Sequence, residues 1–254
     1  EESSKELDLL PLASSLPLLT DLSLTCFNLE NTESLKNLVH LSTLRFRECR
    51  IPDLSFLTQE NSLPQLITLS IESCEGLSTS SFASLSHAPN LHVLAVNSDE
   101  FDNSCLQYLE NMVHLRKLDL SYTTITGDSR SLKTLMQNLF QLEELNLTDC
   151  RIGNQGAIAG ALYSTHSRLR VLNLSSCNLV DDDLNGIGAL KNTLEVLDLS
   201  NNRDLTNQVL VYCKDLVKLK SLNLKNCASI NDLSPLKDCL NIEELNLLYC
   251  VGLT

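Results

Sequence analysis

Leu115-Arg116-Lys117-Leu118-Asp119-Leu120-Ser121-Tyr122-Thr123-Thr124-Ile125 is echoed by Leu142-Glu143-Glu144-Leu145-Asn146-Leu147-Thr148-Asp149-Cys150-Arg151-Ile152, and again by Leu169-Arg170-Val171-Leu172-Asn173-Leu174-Ser175-Ser176-Cys177-Asn178-Leu179. The three stretches align without a gap, with aliphatic residues at the first, fourth, sixth and eleventh positions. Working outward in both directions, the frame Leu-x-x-Leu-x-Leu-x-x-(Cys/Asn)-x-(Leu/Ile) begins at Leu19, Leu41, Leu66, Leu91, Leu115, Leu142, Leu169, Leu194, Leu219 and Ile242. The successive starts are 22 to 27 residues apart, and positions one, four and six hold Leu, Ile, Val or Phe in all ten copies. A period of this length means a solenoid, in which each unit buries its apolar edge only against its neighbours.

Within each unit the alternation at positions four to six has the period of a short strand, with leucines turned inward and the intervening residues outward. The expected architecture is an α/β solenoid, a horseshoe or arc with a parallel concave sheet and helical or 3₁₀ returns on the convex side. Residues 81–91, 102–115, 129–142, 182–194 and 207–219 have the composition of helical returns, with Asp102, Asp182 and Asn207 as candidate N-caps. Asp53-Leu54-Ser55-Phe56-Leu57 and Asp232-Leu233-Ser234-Pro235-Leu236 read as one short-turn device used twice. Strands stack at about 4.8 Å and helices at roughly 8 to 10 Å. The two 27-residue intervals therefore place the greatest curvature near residues 115–194.

The expected domain organisation is a degenerate N-terminal repeat or cap over residues 1–18, built on Leu7, Leu9, Leu12 and Leu16, then a ten-unit domain over 19–254. Ile242 to Thr254 supply a strand and its turn without a return or polar cap. The expectation is a solenoid truncated at its C-terminal end and accompanied by additional domains of the same protein.

Aromatic residues make up 4% of the chain and tryptophan is absent, so aliphatic side chains in register must build the core. Thirty-two acidic residues against 19 basic ones give a formal charge of −13, which argues against nucleic acid or an anionic membrane as partner. No apolar run is long enough to cross a bilayer, and Glu1-Glu2-Ser3-Ser4-Lys5 does not resemble a signal-peptide core.

Six of the ten cysteines, Cys49, Cys74, Cys150, Cys177, Cys227 and Cys250, fall at frame position nine, where Asn202 stands once. There the chain leaves the strand and turns inward, and a small side chain can pack while reaching backbone groups. Equivalent ladder positions point side chains alike rather than at one another, which disfavours disulfides. Reduced cysteines place the chain in the cytoplasm or nucleus. There is no Cys-x-x-Cys pair, and His40, His87, His92, His114 and His166 lack ligand spacing, so no metal is expected. The sequons at Asn146 and Asn173 lie on strands, where a glycan would crowd the inner face.

From residue 7 to residue 254 the chain resembles the leucine-rich-repeat superfamily. Its cysteine-containing central units are similar to those in the substrate-recognition arms of F-box ubiquitin ligases, its longer units to ribonuclease-inhibitor repeats, and its short outer units to phosphatase-regulatory solenoids. The resemblance implies a binding arc for protein ligands. The alternative it implies is the substrate-recognition part of a larger ubiquitin-ligase or other regulatory enzyme assembly, which requires sequence outside this chain.

The outward column at position five runs Ser23, Arg45, Ser70, Ala95, Asp119, Asn146, Asn173, Asp198, Asn223 and Asn246, and its Asp/Asn preference reads as partly structural. Positions seven and eight add Arg47, Glu48, Tyr122, Asp149, Lys225, Leu248 and Tyr249. A plain solvated strand has no need of tyrosines, which are common interface anchors. The candidate protein-binding set is Arg45, Arg47, Glu48, Tyr122, Asp149, Lys225, Leu248 and Tyr249. Glu143, Glu144, Asp149, Glu195, Asp198, Glu243 and Glu244 favour a partner with a basic patch. No nucleophile, base and oxyanion arrangement is embedded in any unit. Gly153, Gly156 and Gly160 do not form a phosphate loop, and Asp181-Asp182-Asp183 lacks the alternation of a calcium loop. The sequence therefore points to a non-enzymatic recognition or scaffold module that needs no cofactor and binds chiefly through its concave face.

Overall fold

A computed structural model describes residues 5–58, 62–127, 129–153, 156–164 and 168–253. Two residues after each repeat's first apolar position a strand begins, and the ten strands form a single parallel sheet in chain order. They are β2 (Asp21–Thr25), β4 (Thr43–Arg47), β5 (Thr68–Glu72), β6 (Val93–Asn97), β7 (Lys117–Asp119), β8 (Glu144–Asn146), β9 (Val171–Asn173), β10 (Val196–Asp198), β11 (Ser221–Asn223) and β12 (Glu244–Asn246). The frame sets the register. Leu118 stands level with Leu145, Leu172, Leu197, Leu222 and Leu245 on successive strands.

Each strand is keyed to the one before it at its entrance. The Arg116 carbonyl accepts the N–H groups of both Glu143 (2.8 Å) and Glu144 (2.9 Å), the Glu143 carbonyl accepts those of Arg170 and Val171, and the pattern runs on to Lys220 with Glu243 and Glu244. A one-residue slip would expose every leucine of the strand, so the aliphatic frame and this ladder enforce the same register. Burial follows the frame: Leu142, Leu145 and Leu147 are 0%, 2% and 0% exposed. Each such leucine contributes about 1.5 to 3 kcal/mol.

Unit length decides what crosses the convex side. The two longest units carry α2 (Ser129–Asn138) and α3 (Ala157–Ser164), and a third return holds α4 (Asn207–Cys213). The others use 3₁₀ turns, among them Ser55–Leu57, Thr79–His87, Asn103–Leu109 and Ser234–Asp238. The two short devices are alike: Asp53 Oδ1 accepts from Ser55 N and Asp232 Oδ1 from Ser234 N, each at 2.8 Å. Asp102 caps its turn through Ser104 N, as the sequence indicates.

Two caps differ from expectation. Asp183, not Asp182, holds its turn, and it does so while 1% exposed, accepting from Val180 N and, across units, from Gly156 N, both at 3.0 Å. Thr206, not Asn207, caps α4 through Gln208 N. Asn207 is turned toward the next unit, where its Oδ1 accepts from Asn231 N and Asp232 N. At the other end, β1 (Lys5–Asp8) pairs in parallel with β3 (Phe27–Glu30), and α1 (Leu9–Ser15) buries Leu9 and Ala13.

Candidate functional site

The exposed rim of the sheet is built where each strand ends. In the last six units the position-five side chain closes a local turn by accepting the N–H two residues on. Asp119 does this for Ser121, Asn146 for Thr148, Asn173 for Ser175, Asp198 for Ser200, Asn223 for Lys225 and Asn246 for Leu248, at 2.8 to 3.1 Å. Asn146 and Asn223 also donate sideways to Asp119 and Asp198. From Asp119 to Asn246 this column is structural, and both sequon asparagines are spent on it.

Position eight then takes a left-handed backbone in every unit but that of Ser98. Cys26, Glu48, Ser73, Tyr122, Asp149, Ser176, Asn201, Asn226 and Tyr249 all have φ between 51° and 62°. None of the nine is β-branched, the class that tolerates this region worst. Such a residue carries strain of order 1 kcal/mol, and in Cys26, Glu48, Tyr122, Asp149, Ser176, Asn201 and Asn226 a cross-unit bond from the amide holds it. Tyr122 N donates to Thr148 O at 2.8 Å, Asp149 N to Ser175 O at 2.9 Å and Asn226 N to Leu248 O at 2.7 Å. The geometry puts position-eight side chains on a rigid, projecting edge.

Position nine turns back inside. Cys150, Cys177, Cys227 and Cys250 donate from Sγ to the position-six carbonyl of the preceding unit at 3.0 to 3.3 Å. Burial pushes the Cys177 and Cys227 thiols up to about 12. Asn202 replaces the thiol with a fuller set: Nδ2 donates to Leu174 O and Leu199 O, and Oδ1 accepts from Cys177 N and Leu179 N, all at 2.9 to 3.0 Å.

The eight candidate residues separate into groups. Arg45, Arg47 and Glu48 share one unit and are exposed, with Arg47 Nε 3.6 Å from Glu48 Oε1. Tyr122 and Asp149 occupy position eight of adjacent units, both exposed. Two shallow clefts flank Tyr122. One, of about 440 Å³, runs from Arg47 and Glu72 past Asn97; the other, of about 460 Å³, runs past Thr124 to Asp149 and Arg151. Tyr122 thus joins the Arg47 side of the rim to the Asp149 side. Lys225, Leu248 and Tyr249 form a separate group three strands further on, where the ammonium lies 6.0 Å from the Tyr249 ring centroid.

A second feature escaped the sequence reading. Position two alternates in sign through Arg116, Glu143, Arg170, Glu195, Lys220 and Glu243. Arg116 pairs with Glu143 at 2.9 Å, and Glu195 is held between Arg170 (2.8 Å) and Lys220 (2.9 Å). Hydrogen bonds from Arg170 and Lys220 bring the Glu195 carboxyl down to about 2. One column inward, Lys117 pairs with Glu144 at 2.7 Å beside a concave hollow of about 350 Å³ that reaches Ala95 and Asn173. Three of the acids named for a basic partner, Glu143, Glu144 and Glu195, are therefore paired with the chain's own bases. Asp198 is bonded to Asn223, while Asp149, Glu243 and Glu244 are not ion-paired among the described residues.

The His92 and His114 rings stack at 6.1 Å, although no group of three or more His, Cys, Asp or Glu suited to a metal occurs among the described residues. His166 lies outside them. No helix among the described residues is long and apolar enough to cross a membrane.

Leucine-rich-repeat family models match residues 111–132, 140–159 and 168–190. An internalin from Listeria monocytogenes superposes with a TM-score of 0.66 at 23% identity, over 92% of this chain and 62% of that one. The leucine-rich-repeat ectodomain of a plant membrane receptor kinase from Arabidopsis thaliana, solved in complex with Casparian strip integrity factor 2, superposes with a TM-score of 0.60 at 20% identity, over 96% of this chain and 31% of that one. The chain thus spans less than two thirds of either structure, and at these identities the likeness is one of fold. Domains of this fold are commonly protein–protein interaction modules, and the F-box and phosphatase-regulatory subtypes rest on repeat sequence alone. Repeat models, strand register and fold agree that the chain folds as a leucine-rich-repeat solenoid.

Proposed function

We propose that this chain is a non-enzymatic recognition module that binds a protein partner along the concave sheet and its strand-exit rim, with Tyr122 at the centre of contact. The observation that carries this reading is the setting of Tyr122. It is a large amphipathic side chain, 58% exposed, on a strained backbone fixed by a cross-unit bond, standing between two open clefts. Rigid aromatic side chains make good anchors because they bring contact area with few rotamers to freeze. Arg47 and Asp149 supply opposite charges on its two sides, an arrangement that selects a partner and its orientation. A partner with a basic patch fits the Asp149 side, and the Lys225, Leu248 and Tyr249 group is a second contact region. Thiols that donate to carbonyls do so only while reduced, which supports the cytoplasm or nucleus as the setting.

The test is affinity capture with the wild-type chain beside Tyr122→Ala and the Tyr122→Ala/Tyr249→Ala double variant, with circular dichroism to confirm that each is folded. A specifically retained protein is expected to be lost from both variants. Undiminished retention by folded variants would overturn the reading.

A further inference from the structure

Tyr122 and Tyr249 both stand at position eight, on the same left-handed backbone with φ of 58° and 62°, but their rings have different company. At Tyr249 the position-seven residue of the preceding unit is Lys225, whose ammonium lies 6.0 Å from the ring centroid. At Tyr122 the equivalent residue is Asn97, short, neutral and tied to the neighbouring strand, its Nδ2 donating to Ser121 O and Ser121 Oγ, both at 2.8 Å. Among the described residues no cation of the chain lies over the Tyr122 ring, which is 58% exposed. The cleft of about 440 Å³ beside that ring is lined by Glu72, Glu75 and Asp99. Glu72 Oε1 accepts from Ser70 Oγ at 2.6 Å, whereas the Glu75 and Asp99 carboxylates are exposed and have neither an ion pair nor a hydrogen bond among the described residues. The described lining holds one base, Arg47, which belongs to a strand three units away from Tyr122 and lies 3.6 Å from Glu48 Oε1. The part of the cleft next to the ring is therefore negative.

We infer, resting on the reading of Tyr122 as the centre of contact, that this cleft is a socket for one basic side chain of the protein partner. That lysine or arginine lies against the Tyr122 ring as Lys225 lies against Tyr249, with Glu75 and Asp99 as its counter-charges. Three properties of the cleft converge on this occupant. The face of an aromatic ring attracts a cation, and more so where the site is partly desolvated. Two carboxylates without partners draw a basic side chain in and repel an acidic one. The aliphatic stem of lysine or arginine packs along the cleft while its charged end reaches the carboxylates. A neutral aliphatic side chain would touch the ring but leave both carboxylates without a partner, and so gains less.

The probes are Nα-acetyl-lysine amide, Nα-acetyl-arginine amide and their uncharged counterpart Nα-acetyl-norleucine amide. Each is titrated into the full chain carrying ring-labelled tyrosine and read by NMR at the Tyr122 resonance, which a Tyr122→Phe chain assigns. Both basic probes are expected to move that resonance in a saturable way, with the norleucine probe weaker by about tenfold or more. In a Glu75→Gln/Asp99→Asn chain the basic probes should lose about fivefold or more in affinity. In an Asn97→Lys chain, which gives the ring a cation of its own, they should no longer move it. Circular dichroism confirms that each variant is folded. Equal affinity for norleucine and the basic probes, no shift from any probe, or full affinity in the folded Glu75→Gln/Asp99→Asn chain would overturn the assignment. Affinity capture separates it from the reading it builds on. Capture lost in Tyr122→Ala but kept in Glu75→Gln/Asp99→Asn leaves Tyr122 as the anchor and overturns the basic side chain. Capture undiminished by Tyr122→Ala, with the probes still bound by the wild-type chain, overturns the anchor and leaves the cleft's preference for a cation standing.

Discussion

Asn202→Ala is expected to be among the most destabilising single changes in the chain. The side chain is 0% exposed, so nothing it bonds can turn to water. Its Oδ1 is the acceptor for Cys177 N and Leu179 N, and its Nδ2 serves the Leu174 and Leu199 carbonyls. Stranding a buried amide costs about 1 to 3 kcal/mol, and the carbonyls add the loss of their own bonds. With two amides stranded and partial relaxation of the turn, roughly 3 to 4 kcal/mol is expected. Asn202→Cys should cost less, about 1 to 2 kcal/mol. A thiol there can reach Leu174 O as Cys227 reaches Leu199 O, and the preceding amide can turn back to its own unit as Cys150 N does to Leu147 O at 3.2 Å. Urea unfolding followed by circular dichroism reads both as shifts of midpoint at unchanged slope. An alanine variant within about 1 kcal/mol of wild type, or a cysteine variant as unstable as alanine, would refute the view that this position ties neighbouring units together.

Under native conditions a thiol reagent is expected to label Cys26 alone, since the other nine cysteines are buried. Because the Cys26 thiol donates to Glu48 Oε2 and is pushed up by it, Glu48→Gln should speed that labelling; an unchanged or slower rate would contradict the contact. Glu195 titrates lower in the folded chain than its usual value, so it stabilises the fold above about pH 4.5 and loses that contribution as pH falls toward 2. The gap in Tm between wild type and Glu195→Gln should therefore narrow over that window. A gap independent of pH would show that the charge column contributes nothing through this carboxylate.

The leucine frame made the fold legible because solenoid burial is periodic: Leu118, Leu145 and Leu172 occupy one layer since the unit lengths absorb every difference in the returns. The position-five turn was half legible, since Asp and Asn at a strand end are turn formers, but their acceptor role needed the backbone. Position eight was opaque. Cys26, Glu48 and Tyr122 give no local sign of a left-handed residue, and in each the amide bonds across the unit boundary. The same reason moved the cap of α4, because Asp181 draws Thr206 into place from the previous unit at 2.9 Å. The alternating charges from Arg116 to Glu243 were within reach, since the frame puts them in one column. Tabulating position two beside positions five, seven and eight would have found them.

The claim that binding runs through the strand-exit rim is tested most directly by site-specific photocrosslinking. A photoreactive amino acid is placed at Tyr122 and, in a separate chain, at Tyr163, which is 66% exposed on α3 of the convex side. Partner adducts are expected from position 122 and not from 163. Adducts from 163 with none from 122 would place the partner on the convex face and contradict the account.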